Sequence, residues 1–223
     1  MLSTIGPYLP QLLEGLLLTL KVALGSFVVG MIIAVIAAPL RVSGPRAAKA
    51  AIGTYTTVVR GLPELLIIFL VFYGGTVFLT YIVGDYVEVD ALTAGIAALS
   101  VVSGAYLTEI LRGALQAIPV GQWEAAKALG IRPTRTFVHV IFPQMLQRAL
   151  PGLGNQWLII LKESALVSIV GLEELMRKSV VAAGATHNPL AFYLTAAALY
   201  VAVTTVSTSI VTLLERRAVV KAR

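Results

Sequence analysis

Apolar residues run through this chain in long blocks, not in the short alternating or one-faced patterns of soluble elements. Five blocks reach the roughly 20 mostly apolar residues that a membrane-spanning helix needs: 12–38, 62–83, 91–111, 152–172 and 190–214. The fourth is interrupted by Lys162-Glu163-Ser164. The first 20 residues lack the positive amino-terminal region of a secretory signal, so the first block is expected to stay in the protein as a span. The pattern predicts an all-α, polytopic membrane protein of about five transmembrane helices. Residues 1–223 read as a single transmembrane domain, without a soluble domain, a low-complexity tract or an internal repeat.

Composition points the same way. Hydrophobic residues make up 58% and charged residues 13% of the chain, against roughly 45–50% and about 25% in soluble domains. An ordinary soluble domain and a disordered chain are therefore excluded. The net charge of +6 does not indicate nucleic acid, because the bases are spread between apolar blocks and form no aromatic-interleaved patch. With no cysteine, disulfides, thiolate metal sites and a cysteine nucleophile are ruled out. His139 and His187 are too few and too far apart for a zinc site. No catalytic constellation and no phosphate-binding Gly-x4-Gly-Lys-Ser/Thr motif is present, so this chain is expected neither to be an enzyme nor to bind a cofactor or metal.

Five spans put the termini on opposite sides, and lysine and arginine choose the orientation. With the N-terminus outside, the cytoplasm receives Arg41, Arg46, Lys49 and Arg60 in the first loop. It receives Arg112, Lys127, Arg132, Arg135 and Arg148 around the next, and Arg216, Arg217, Lys221 and Arg223 in the tail. Only Arg177 and Lys178 fall outside, while Lys21 and Lys162 lie within spans. The external segment 84–90 carries Asp85, Glu88 and Asp90 and no base.

The longest non-spanning stretch, 113–150, has its own pattern. Pro119 opens a short helix in which Trp123, Ala126 and Leu129 share a face. Gly130 ends it, as glycine does where the backbone turns left-handed. Pro133 allows a second helix, with Phe137, Val140 and Ile141 on one side, and Pro143 and Pro151 mark the return to the membrane. The small Ala125 and Ala126 would let another surface approach closely. Physics alone leaves two readings open: a helix–Gly–helix docking element, or an amphipathic helix resting on headgroups.

Glu124-Ala125-Ala126, then Gly130, then Val140-Ile141-Phe142-Pro143 resembles the EAA loop of ABC importer permeases, with Val140 and Phe142 as mild departures. Arg60-Gly61-Leu62-Pro63-Glu64, Gly104-Ala105-Tyr106 with Glu109 and Arg112-Gly113-Ala114, and Ile118 to Glu124 are similar to segments of the polar amino-acid permeases. So is Lys162-Glu163-Ser164-Ala165-Leu166-Val167-Ser168, where Glu163 and Ala165 depart from that subfamily's pattern. The ending Thr204-Thr205-Val206-Ser207 … Leu214-Glu215-Arg216-Arg217 looks like the histidine/lysine/arginine/ornithine and opine importers.

The resemblance implies a MetI-like fold in the bacterial inner membrane and import of polar, basic amino acids or opines. It implies a second, similar permease subunit, paired as a heterodimer to enclose one path. It also implies two copies of a cytoplasmic ABC ATPase, which would use the ATP and Mg, and a periplasmic substrate-binding protein. Trp123, Glu124, Ala125, Ala126 and Gly130 would couple the spans to that ATPase. The rival from another class is a stand-alone carrier or channel, which would have no use for such a loop.

Charges inside spans are costly, about 2.5–3.5 kcal/mol each on insertion scales, and so mark candidates for the substrate path. These are Glu64, Glu109, Lys162 and Glu163. Lys162 and Glu163 point in different directions on a helix and are not expected to pair with each other. Glu109 is explained equally by an ion pair to Arg112 one turn on, and Glu64 by a pair to Arg60 four residues earlier on the same helix. In favour of a path role, histidine- and opine-type members carry an acid at the Glu64 position. Lys21 can snorkel, Trp123 can be a headgroup anchor, and Glu124 can simply stabilise a helix N-terminus.

Overall fold

The computed structural model describes residues 2–220, with side chains described for 4–217. Lys221 and Arg223, two of the tail bases, lie outside the described residues. After a turn at Leu2–Ile5 and a 3-10 turn at Gly6–Tyr8, nine helices follow. They are α1 Leu9–Ser43, α2 Arg46–Gly61, α3 Glu64–Val83, α4 Ala91–Gln116, α5 Val120–Ala128, α6 Pro133–Thr136, α7 Phe142–Glu163, α8 Leu175–Thr186 and α9 Pro189–Val220. A π turn, Phe137–Ile141, joins α6 to α7, and a 3-10 segment, Ser164–Val170, follows α7. Among the described residues five stretches are long and apolar enough to cross a membrane: Gly6–Ser43, Glu64–Val83, Ala91–Gln116, Pro133–Val170 and Pro189–Arg217.

The bundle is built around α1 and α4, its most extensive helix pair. Their approach depends on small residues. A Cβ on Gly30 would run into Ser103 Oγ and come within 3.0 Å of the Gly104 nitrogen. The hydroxyl of Ser103 donates to the Ser26 carbonyl across the same seam at 3.0 Å. Small residues and an interhelical hydrogen bond replace the hydrophobic driving force that lipid cannot supply. On the other side of α4, α7 runs antiparallel, with Gly152 against Ile110; beyond it Val167 meets Gly95. Apolar clusters fill both ends. Ala34, Ala38, Leu107, Leu111, Ile141 and Met145 meet near the end that carries α5, hereafter the basic face. Val22, Ile68, Phe72, Ala94, Leu99 and Val167 meet toward the opposite face. Helices α3 and α9 are left mostly uncovered by the chain itself.

Three features depart from the sequence expectation. The first loop, expected to be plain, is mostly helix α2, packed on α1 and α4. It has too many polar residues to span, but Gly53 and Thr56 are buried on one face, and Tyr55 donates to the Val101 carbonyl at 2.7 Å. The rod of the fourth span starts at Pro133, well before residue 152, and its α-helix stops at Glu163. There the Ser164 hydroxyl donates to the Leu161 carbonyl at 2.8 Å, a local bond that competes with α-helical pairing. Finally, residues 175–186 form α8, wedged against α1 and α9.

Candidate functional site

The loop between α4 and α7 has the predicted helix–Gly–helix form. Pro119 is extended and precedes α5. At its other end the Gly130 N–H donates to the Lys127 carbonyl and the Ile131 N–H to the Ala126 carbonyl, both at 3.0 Å. Gly130 has φ +67°. This pair of bonds around a left-handed glycine is a Schellman cap. It reverses the chain so that α5 lies against α6 and the π turn. The Gln144 side chain donates to Gln122 Oε1 at 3.3 Å and ties α5 to α7.

The expected shared face of α5 is only partly covered. Ala126 is 4% exposed, whereas Trp123 is 37% and Leu129 77% exposed. Val120 is exposed too, so α5 presents apolar groups outward. Glu124 and Ala125 are likewise exposed. Glu124 stands beyond the first turn of α5, which contains no acid. The helix-dipole account of this carboxylate therefore loses its basis, because that effect fades within one turn. Among the described residues Glu124 accepts no side-chain hydrogen bond and forms no ion pair.

Phe137, Val140 and Ile141 face the core cluster as expected. The Phe142 N–H reaches back to the Phe137 carbonyl, a wider turn than the α-helix allows, directly before Pro143. Proline lacks an N–H and its ring clashes with the carbonyl four residues earlier, so a regular α turn is disfavoured there. From Gly130 to Glu163 the chain is then almost continuous helix, connecting the loop to the interior of the bundle.

The charged candidates separate into two groups. Glu109 pairs with Arg112 at 2.7 Å and accepts from Thr56 Oγ1 at 3.2 Å. Its ion-pair reading is realised. The Arg60 guanidinium lies 5.2 Å from the ring centre of Tyr106, a cation–π geometry. Arg60 therefore does not pair with Glu64. The chain breaks between them at Leu62-Pro63, so the two residues belong to different helices, α2 and α3. The expected same-helix pair is thus corrected by the proline that separates the helices.

Glu163 lies within electrostatic reach both of Glu64, distant in sequence, and of its neighbour Lys162. Among the described residues neither forms an ion pair. One carboxylate oxygen of Glu163, Oε2, is buried without a hydrogen-bond partner. Lys162 is exposed on the surface of the single chain. A charge at this depth is not stable against lipid, so this side of α7 must meet protein or a water-filled space.

Two polar groups escaped the sequence reading. Gln156 is 3% exposed and its Nε2 has no partner; a lone amide in an apolar block was its only signal. Glu174, outside the five spans, is fully buried. It caps α8 by accepting from the Arg177 N–H at 2.9 Å. It also accepts from Thr19 Oγ1 at 3.1 Å and from the Tyr200 hydroxyl at 3.2 Å, so it joins α1, α8 and α9. Burial holds this carboxyl above the ordinary carboxylate range despite those donors. Its exposed neighbour Glu173 lies below that range because Lys178 donates to it and attracts it.

Residues 9–220 match the family described as binding-protein-dependent transport system inner membrane component. The chain is 39% identical to the arginine ABC transporter permease protein ArtQ of Haemophilus influenzae, over 90% of each chain. It is 39% identical to the histidine/lysine/arginine/ornithine transport system permease protein HisQ of Salmonella typhimurium, over 92% of each. It is 40% identical to the octopine transport system permease protein OccQ of Agrobacterium tumefaciens, over 93% of this chain and 90% of that relative. Among solved structures it superimposes on an amino acid ABC transporter crystallised with histidines, at a TM-score of 0.86 and 32% identity, covering 97% and 98% of the two chains. An inward-facing MetNI methionine ABC transporter shares the fold, at a TM-score of 0.71 and 21% identity over 94% and 95% of the chains. With five membrane-crossing helices, a glycine-hinged loop at one face and this match across nearly its whole length, the chain belongs to the binding-protein-dependent inner membrane components, as a multi-pass permease subunit of an ABC importer.

Proposed function

We propose that this chain forms half of the translocation path for basic amino acids or opines. The observation that carries the substrate class is the approach of Glu64 and Glu163. Two carboxylates within electrostatic reach, opposed only by the attraction of Lys162 for Glu163 and neither held in an ion pair among the described residues, favour a cationic side chain between or beside them. Even at an effective dielectric of about 20, a contact at 4 Å is worth up to roughly 4 kcal/mol before desolvation. The relatives named for arginine, for histidine, lysine and ornithine, and for octopine support the same class. Lys162, exposed at the same depth, would face the second permease subunit, which we take to be a similar but different chain.

The N-terminus is then periplasmic and the basic face cytoplasmic, where two ABC ATPases that use ATP and Mg would receive α5. Trp123, Glu124 and Ala125 would contact the ATPase, while Ala126 and Gly130 hold the turn. Closure of the ATPase dimer would move α5, and the helical rod from Pro133 to Glu163 would carry that motion to the charged pair, a two-state change biased by nucleotide. A periplasmic binding protein would deliver substrate at the opposite face. This chain would bind no cofactor itself.

Proteoliposomes containing the complete importer test the proposal. Glu64→Gln should weaken arginine uptake about tenfold or more and leave any neutral substrate unaffected. Arginine uptake of unchanged affinity and rate would reduce Glu64 to a helix N-terminal acid on α3. Uptake that persists without the ATPase would instead favour a carrier.

A further inference from the structure

We infer that Tyr106 and Glu109 form a second guanidinium site on the path, which the chain's own Arg60 holds in this structure and from which a guanidinium substrate displaces it. The inference rests on the reading that Glu64 and Glu163 receive a cationic side chain. It assigns the next station toward the basic face.

The site combines the two groups that a guanidinium recognises best, an aromatic face and a carboxylate. The Arg60 guanidinium lies 5.2 Å from the centre of the Tyr106 ring. Glu109 follows Tyr106 by three residues on α4, so the two side chains are neighbours on the helix surface, and Arg60 is within electrostatic reach of Glu109. This carboxylate has acceptor capacity left. Its Oε2 is engaged by Arg112. Its Oε1 accepts from Thr56 Oγ1 at 3.2 Å, and a carboxylate oxygen can accept more than one hydrogen bond. Tyr106 and Glu109 are both partly exposed, so a ligand can reach them.

Arg60 is loosely held. It stands in the last turn of α2 and is exposed. Among the described residues its side chain donates no hydrogen bond and forms no ion pair. Arg112, by contrast, is fixed twice, because its Nη1 also donates to Gln116 Oε1 at 2.6 Å. Of the two guanidiniums near Glu109, Arg60 is therefore the one that can leave. A side chain with the chemistry of an arginine substrate, resting without a hydrogen bond on this pair of groups, acts as a placeholder.

Register puts the site in line with the acids. In the antiparallel pair α4 and α7, Gly152 meets Ile110, and just beyond α7 Val167 meets Gly95. Both contacts fit one register, in which Glu163 is level with Leu99. Tyr106 then lies about 10 Å and Glu109 about 15 Å closer to the basic face. Around α4, Glu109 stands about 100° from Ile110, the contact to α7, and about 140° from Gly104, the contact to α1. The pair opens on the flank of α4 away from α1, beside Thr56 of α2. A cation released by Glu64 and Glu163 meets it next. The displaced Arg60 is four residues from the vacated Glu64, at most about 14 Å along the chain, and can neutralise it behind the substrate.

Equilibrium dialysis of radiolabelled arginine against the complete importer in detergent tests this. Arg60→Gln vacates the site and should raise the arginine bound at saturation by one for each copy of this chain. Adding Tyr106→Leu should return the count to that of wild type, whereas adding Tyr106→Phe, which keeps the aromatic face, should preserve the gain. In proteoliposomes Tyr106→Leu alone should lower the maximal rate of arginine uptake about fivefold and that of lysine less, because an ammonium does not stack on the ring as a planar guanidinium does. An unchanged count in Arg60→Gln, a gain that survives Tyr106→Leu, or equal loss of arginine and lysine uptake would overturn the site and leave Arg60 as a tie between α2 and α4. Glu64→Gln separates this from the reading on which it rests. It should remove one arginine per copy from the wild-type count and leave the gain in Arg60→Gln intact; a wild-type count indifferent to Glu64→Gln would sink the acid pair instead.

Discussion

At the scale of single residues, Gly130 and Glu174 show two different ways in which a position is constrained. Gly130 sits at φ +67° with nothing near the place of its missing Cβ. Space is available there, so the constraint is the backbone itself, which L-residues adopt at a cost of roughly 1–2 kcal/mol. Gly130→Arg should leave the protein inserted but abolish ATP-driven uptake in proteoliposomes, because the turn that orients α5 opens. Glu174 is constrained by its partners. Ionisation of a buried carboxyl costs the folded state, and here its pKa is raised. Its contribution is thus fully present below the ordinary glutamate value and is lost as pH rises through the raised one. Thermal melts of the importer in detergent should show wild type losing stability as pH increases over that window. Glu174→Gln should flatten the dependence, since an amide keeps one acceptor oxygen and has no charge to bury. Glu174→Leu should destabilise at every pH by about 1–3 kcal/mol, because Thr19, Tyr200 and the start of α8 lose their acceptor. Gly130 was legible in the sequence through a local rule of helix ends. The cap and bridge of Glu174 were not, because two of its partners come from helices far along the chain.

At the scale of elements, length and apolarity located the spans, and propensity did not see how they begin, break and pack. Residues 46–61 look like a charged loop because four bases lie in or beside them. Their helix exists because Tyr55, Gly53 and Thr56 find α1 and α4. The α1–α4 seam is the element contact on which the bundle most depends, so Gly30→Leu should lower the melting temperature and the yield of inserted protein more than any substitution on the exposed face of α9. Intact melting of that variant would mean that the two helices can separate by a side chain's width without loss. The break at Ser164 was announced by a polar triplet in an apolar block; that it takes the form of a 3-10 segment depends on how the chain packs around Gly95.

For the whole molecule, orientation follows from the distribution of bases, and it predicts that a carboxy-terminal reporter reads cytoplasmic and an amino-terminal tag periplasmic. Both ends on one side would remove the five-span arrangement. The five spans the sequence determines by itself, because the bilayer is a one-dimensional solvent: depth along the normal selects residues by polarity alone, and a linear pattern records it. The loop between α4 and α7 is legible for a related reason, since its caps and spacing act within a few residues of one another. What only the tertiary structure decided is which intramembrane charges meet. Arg60 faces Tyr106, while Glu64 comes within electrostatic reach of Glu163, a residue nearly a hundred positions away. Rotation of each helix about its axis sets these contacts, and that rotation is chosen by the packing of small residues such as Gly30 and Gly95 against their neighbours. A linear pattern of polarity records how deep a side chain lies; it does not record which way the side chain points.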